Sequence, residues 1–128
     1  MMRLGIDVGS TTVKLILLDD DNKIIYQKYE RHMSSVFDKV KEVLENLIDA
    51  VGDIEVKCVI TGSEGLALAE KIKTKFEQEV VTCSLAVKNL IPQTDVAIEL
   101  GGEDAKITFF GSTVEQRMNG TCAGGTGA

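Results

Sequence analysis

Apolar and polar positions along the chain fall into two recurring rhythms. Residues 2–8, MRLGIDV, read as an apolar strand, and after the turn GSTT the residues Val13, Leu15 and Leu17 alternate with Lys14, Ile16 and Leu18, the two-residue period of a second strand. DDDN at 19–22 is a turn signal, and KIIYQKYER at 23–31 reads as a third strand. Three consecutive strands with short turns predict an antiparallel meander. The period then changes. Val36, Phe37, Val40, Val43, Leu44, Leu47, Ile48 and Val51 recur at helical spacing and predict an amphipathic helix with one broad apolar stripe. Ser34 or Ser35 is placed to cap its start and Gly52 to end it in a left-handed conformation. Glu42, Glu45 and Asp49 belong to its outer face.

Beyond the helix, IEVKCVIT at 54–61 reads as a strand with Val56, Cys58 and Ile60 on one face, GSEG turns the chain, and 64–75 read as a short helix. In 77–91, EVVT suits a short strand and SLAVKNLI a helix ending near Pro92. DVAIEL, the tight turn GGED and AKITFF then predict a hairpin, and TVEQRMN a last strand before a glycine-rich end. A meander followed by alternating helix and strand predicts an α/β domain with a mixed sheet and flanking helices, the ribonuclease-H-like pattern.

Composition narrows the function classes. At 128 residues the chain fits one domain with a real core, and 44% hydrophobic with 27% charged residues is ordinary for a globular protein. A net charge of −6 argues against a nucleic-acid surface, although nucleotides can still be held by backbone N–H groups and a metal ion. No apolar run approaches a membrane span and the N-terminus lacks a signal-peptide core, so a cytoplasmic protein is expected, without membrane or nucleic-acid partners. The three cysteines, Cys58, Cys83 and Cys122, include no CxxC pair, which predicts neither a disulfide framework nor a complete metal site within one copy. Cys58 and Cys83 read as core residues, and His32 reads as a solvated histidine at a strand end.

Chemistry concentrates at two turns. DVGSTT and ELGGEDAK each sit between apolar strands, each begins with a carboxylate (Asp7 or Glu99), and each carries glycine where the chain turns, at Gly9 or at Gly101 and Gly102. Glycine lets an anion approach the backbone N–H groups. Ser10, Thr11 and Thr12 add hydroxyl donors, and Lys14 adds positive charge. A carboxylate beside a phosphate requires a bridging cation, and Mg²⁺, which binds through one or two carboxylates plus phosphate oxygens, suits Asp7. The glycines are followed by a strand rather than a helix, so neither turn is a Rossmann or Walker loop. The plain alternative is two ordinary hairpin turns.

Asp7-Val8-Gly9-Ser10-Thr11-Thr12 resembles the first phosphate motif of the actin, Hsp70 and sugar-kinase superfamily, and Glu99-Leu100-Gly101-Gly102-Glu103-Asp104 resembles its second. The tail MNGTCAGGTGA resembles the cysteine-bearing loop of the BadF/BadG/BcrA/BcrD ATPase family, the activators of 2-hydroxyacyl-CoA dehydratases and ATPase subunits of benzoyl-CoA reductases. The resemblance implies an ATPase with ATP or ADP and Mg²⁺ as ligands. It also implies a homodimer bridged by a [4Fe–4S] cluster that passes one electron at low potential to a dehydratase or similar CoA-ester reductase. It places Asp7, Gly9, Ser10, Thr11, Thr12 and Lys14 on the phosphates, and Gly101 and Gly102 in the opposing phosphate loop. Glu99, Glu103 and Asp104 take the catalytic positions, Asp7, Glu99 and Asp104 the Mg²⁺, and Cys122 the cluster. Two departures stand out: Glu99 where activators more often carry Asp, and Glu103 where they carry Gln. ELGGEDAKI together with NGTCAGGTGA looks more like the very long fused activases than the short activators. The resemblance covers one nucleotide-binding half of a two-part fold. Residues 1–128 are therefore expected to be a segment of a larger protein, whose adenosine site and second cluster cysteine lie past Ala128. A sugar or acid kinase of the same superfamily, and a nucleotide-gated scaffold, are the alternatives, with Cys122 then a free thiol in a loop.

Overall fold

The computed structural model describes residues 1–119. The chain divides into two compact units, Met1–Phe76 and a second that begins at Glu77.

The first unit is built on a five-stranded mixed sheet of order β3-β2-β1-β4-β5, with β1 at Met2–Val8, β2 at Thr12–Leu18, β3 at Ile24–Arg31, β4 at Val56–Thr61 and β5 at Lys75–Phe76. The meander predicted from the alternation is present: β1 pairs antiparallel with β2 and β2 with β3, while β4 lies parallel to β1 after the crossover helix α1 (Val36–Val51). Register explains the core. Leu4↔Leu17, Ile6↔Leu15 and Val8↔Val13 face each other across β1 and β2, and Ile6↔Ile60 extends the layer into β4. All seven of these side chains are buried and pack with Val40, Val43 and Leu47 of α1 and Leu68 and Ala69 of α2 (Gly65–Ile72). A mixed sheet covered by amphipathic helices buries one stripe of each helix, which is what drives this arrangement.

Several local expectations change. The apolar stripe of α1 is narrower than its eight positions suggest, since Phe37 and Ile48 are exposed while Val36, Leu44 and Val51 only border the core. Ser35 occupies the N-cap position but makes no side-chain cap bond, and Gly52 ends the helix at φ +86 and ψ −175, a positive φ that favours glycine but an extended conformation rather than the left-handed helical one expected. The stretch 64–75 is a helix only to Ile72; Lys73 then turns left-handed at φ +55 and the short strand β5 follows. Cys58 borders the core beside Val56 and Ile60.

The second unit contains helix α3 (Glu79–Leu90) and a separate antiparallel sheet of order β6-β7-β8, spanning Val96–Leu100, Ala105–Phe110 and Val114–Asn119. EVVT is the first turn of α3 rather than a strand: the β-branched residues that suggest a strand are overridden by continuous helical hydrogen bonding from Gln78 onward. This sheet inverts the usual pattern. Val96, Ile98, Leu100 and Phe109 are exposed, while Lys106 and Thr108 are buried.

Candidate functional site

The hairpin loops carrying the two acid–glycine motifs are built alike. In the first unit Val8 pairs with Val13 and residues 9–12 form the loop, closed by the Gly9 N–H donating to the Thr12 carbonyl at 2.9 Å. In the second, Leu100 pairs with Ala105 and residues 101–104 form the loop, closed by the Gly101 N–H donating to the Asp104 carbonyl at 2.9 Å. One step down each ladder from the loop, Asp7 stands opposite Lys14 and Glu99 opposite Lys106. Both motifs therefore read acid, two residues to glycine, five more to lysine. Lys106 joins the candidate residues named from the motifs, and this shared spacing is the signal that marks it.

In the first hairpin, Lys14 Nζ lies 3.3 Å from Asp7 Oδ2, with both side chains partly exposed, and it also sits over the Tyr29 ring at 5.4 Å. Asp7 and Lys14 project from the sheet face opposite the Leu4–Ile6–Val8 core, because successive residues of a strand alternate sides. Gly9, Ser10 and Thr11 are half-buried and Thr12 is buried. Neither Gly9 nor Gly101 adopts a positive φ. A side chain at Gly9 would meet only Thr12 at ordinary contact distance, so the turn itself does not require glycine there.

A different glycine is required. Gly62, just past β4, has φ +103, and a Cβ there would overlap the Val8 carbonyl oxygen and lie 2.5 Å from Asp7 Oδ1. The β4–α2 loop is thus pressed against the base of the first hairpin, and the Glu64 N–H donates to the Val8 carbonyl at 2.9 Å. The sequence marks Gly62 only as part of a turn; the sign of its larger role is its position directly between a strand and a helix, opposite the end of the strand that carries Asp7.

His32 is not solvated. It is 4% exposed, and its Nε2 lies 2.9 Å from the Gly9 carbonyl oxygen. The chain leaves β3 beside the first hairpin and the ring folds under that loop, which position in the sequence does not reveal.

The second hairpin gathers more charge. Lys106, 7% exposed, donates to Glu79 of α3 at 2.5 Å. Burial opposes its charge, but the Glu79 hydrogen bond and the charges of Glu79, Asp104 and Glu99 outweigh that and hold the ammonium above the ordinary lysine range. Cys83 is half-buried on α3, and burial first, then the charge and hydrogen bonding of Glu99, push its thiol up. It is therefore a neighbour of the acidic site rather than a plain core residue. Burial also pushes the Cys58 thiol up. Glu99 Oε2 is buried with no hydrogen-bond partner among the described residues. Asp104 folds its carboxylate back over Gly101, while Glu103 is exposed at the tip of the loop. Among the described residues no three metal-ligating side chains are clustered, and Cys122 lies outside them. Among the described residues no helix is long and apolar enough to cross a membrane.

A mixed sheet of order 3-2-1-4-5 whose first two strands form an acid–glycine hairpin has the fold of the actin-like ATPases, and solved structures similar to this chain share it. The model of the BadF/BadG/BcrA/BcrD ATPase family matches residues 4–128, and the chain belongs to that family. It is 33% identical, over 98% of its length and 51% of the relative's, to an uncharacterized protein of Methanocaldococcus jannaschii. It is 30% identical, over 97% of its length and 49% of the relative's, to the (R)-2-hydroxyglutaryl-CoA dehydratase activating ATPase of Acidaminococcus fermentans. The activator of 2-hydroxyisocaproyl-CoA dehydratase from Clostridium difficile, solved with bound ADPNP, superposes with a TM-score of 0.76 at 27% identity, covering 99% of this chain and 48% of that one. The chain spans about half the length of the relatives it matches.

Proposed function

We propose that this chain is the N-terminal nucleotide-binding half of an ATP-dependent activator that couples ATP hydrolysis to low-potential electron transfer toward a 2-hydroxyacyl-CoA dehydratase or related CoA-ester reductase. The observation that carries the reading is the matched pair of loops, each closed by a glycine N–H and each based on an acid–lysine pair. The names of the dehydratase activators among the relatives supply the class of partner.

In this reading Gly9, Ser10 and Thr11 offer backbone and hydroxyl donors to phosphate oxygens, and Lys14 partly neutralises them. Thr12, buried, shapes the loop through its carbonyl. Gly101 and Gly102 keep the second loop open to phosphate oxygens. Asp7, Glu99 and Asp104 are the residues that would hold Mg²⁺, and the orphaned Glu99 oxygen supports that assignment. Bound Mg²⁺ would neutralise phosphate charge that three carboxylates would otherwise repel. Lys106, paired with Glu79 and across the ladder from Glu99, adds positive charge beside the second loop, and Glu103, exposed in that loop, is assigned the catalytic position that would orient the attacking water. Cys122 is assigned as a thiolate ligand of a [4Fe–4S] cluster shared between two subunits, each giving two thiolates, and such a cluster supplies one-electron chemistry.

The test is made on the full-length protein. Cys122→Ser should abolish the visible absorbance of a thiolate-bound iron–sulfur cluster while Mg·ATP still binds. Asp7→Asn should weaken Mg·ATP binding by about tenfold or more. Retained cluster absorbance in the first variant, or unchanged ATP affinity in the second, would overturn the respective assignment. Phosphoryl transfer to a sugar or acid that survives Cys122→Ser would replace the activator by a kinase.

A further inference from the structure

The buried His32 takes no part in that phosphate chemistry, yet its bonds converge on the first phosphate loop. Its ring makes two contacts: Nδ1 lies 3.1 Å from the Ser34 backbone nitrogen and Nε2 lies 2.9 Å from the Gly9 carbonyl oxygen. A backbone N–H can only donate, so Nδ1 is the acceptor, the ring proton resides on Nε2, and Nε2–H donates to Gly9. The His32 backbone N–H donates to the Thr11 carbonyl at 3.0 Å. One residue thus holds two of the four carbonyls of the 9–12 loop. The chain next to it is bent to allow this. Met33 and Ser34 both sit in the left-handed region, at φ +51 and φ +65, and the Ser35 N–H closes the turn on the His32 carbonyl at 2.8 Å. Two adjacent non-glycine residues in that region persist only where surrounding contacts over-determine them.

We propose that His32 is a positioning residue of the phosphate loop, which fixes the direction of the Gly9–Ser10 peptide and so aims the Ser10 N–H at the nucleotide phosphates. The geometry is that of a planar trans peptide: with the Gly9 oxygen tied to Nε2, the Ser10 N–H points the opposite way, out of the protein side of the loop. Without the tie the peptide can flip and present its oxygen to the anion, which repels it. This role rests on the phosphate-binding reading of the loop.

Two substitutions separate the ring's two bonds. His32→Asn keeps an acceptor near the Nδ1 position for Ser34 but cannot reach Gly9. His32→Gln carries its amide N–H to about the Nε2 position and can restore the Gly9 bond. In the full-length protein, with Mg·ATP and adenosine as separate titrants, His32→Asn and His32→Ala should weaken Mg·ATP about tenfold, as expected for one lost buried hydrogen bond that orients a donor. Adenosine affinity should stay within about twofold, because that ligand has no phosphate. His32→Gln should recover most of the loss. Equal Mg·ATP affinity in the Asn and Gln variants, or parallel losses for adenosine and Mg·ATP, would overturn the positioning role. Asp7→Asn serves as the separate check: if it leaves Mg·ATP binding unchanged, the phosphate reading of the loop fails instead. If His32→Ala does not fold, the Asn and Gln pair alone decides.

Discussion

Gly62→Ala tests whether the strand–helix loop and the first hairpin are locked together. Gly62 sits at φ +103, where a Cβ would overlap the Val8 carbonyl oxygen and approach Asp7 Oδ1 to 2.5 Å. A left-handed conformation costs a non-glycine residue about 1–2 kcal/mol. Relieving the overlap moves the Val8 carbonyl away from the Glu64 N–H that it accepts at 2.9 Å, a further ~1 kcal/mol. The sum, about 2–3 kcal/mol, lies among the larger single-substitution effects. Gly52→Ala is the internal control, because Gly52 has φ +86 but nothing within 4 Å of its Cβ direction. It should lose only the backbone part, about 1–3 kcal/mol for its extended positive-φ conformation. Urea unfolding followed by far-UV circular dichroism measures both. Gly62→Ala should also weaken Mg·ATP binding through displaced Asp7, which Gly52→Ala should not. If the two variants lose the same stability to within about 0.5 kcal/mol, the contact with the hairpin base contributes nothing and the loop is not locked.

Two further expectations concern the second unit and the thiols. Lys106→Met leaves Glu79 without its cation and the half-buried Glu99 without a neighbouring positive charge, and should cost about 1–3 kcal/mol, less than a fully buried pair because Glu79 is 34% exposed. The sign with pH follows from the raised Lys106: its contribution is complete below the ordinary lysine value and is lost as pH rises through the higher folded value. Unfolding measured between about pH 9 and pH 12 should therefore show a descent that Lys106→Met lacks; matching profiles would refute it. Cys58 and Cys83 are both pushed up by burial, so in a Cys122→Ser background alkylation near pH 8 should be much slower than in the urea-unfolded chain. A rate equal to the unfolded one at either thiol would contradict the packing.

The sheet of the first unit was legible because its residues obey simple periods. Leu4, Ile6 and Val8 alternate with Gly5 and Asp7, and the same alternation in β2 predicts both the pairing and which face is buried. The amphipathic helix was legible in extent but not in the width of its buried stripe. Phe37 and Ile48 have helical spacing yet stay exposed, Phe37 with the Lys71 ammonium over its ring at 4.3 Å. The second unit was harder to read. Its sheet buries Lys106 and Thr108 and exposes Val96 and Ile98, so polarity is no guide to the buried face there. Valines at 80 and 81 favoured a strand that the helix overrides. Of the site, the loops announced themselves through carboxylate and glycine. His32 and Gly62 did not, because each acts through a partner far away in sequence: a carbonyl at Gly9 in one case and the end of β1 in the other. No local pattern carries that information.

The two loops share a backbone frame without sharing an environment. Each is four residues long, begins with glycine, is closed by one bond of the same length and rests on an opposed acid and lysine. A transplant of GGED into the place of GSTT would set an aspartate at the buried Thr12 position, in a loop already tied through Gly9 and Thr11 to His32. The burial of the last loop residue, not the shared closing bond, therefore decides which side chains each hairpin can carry.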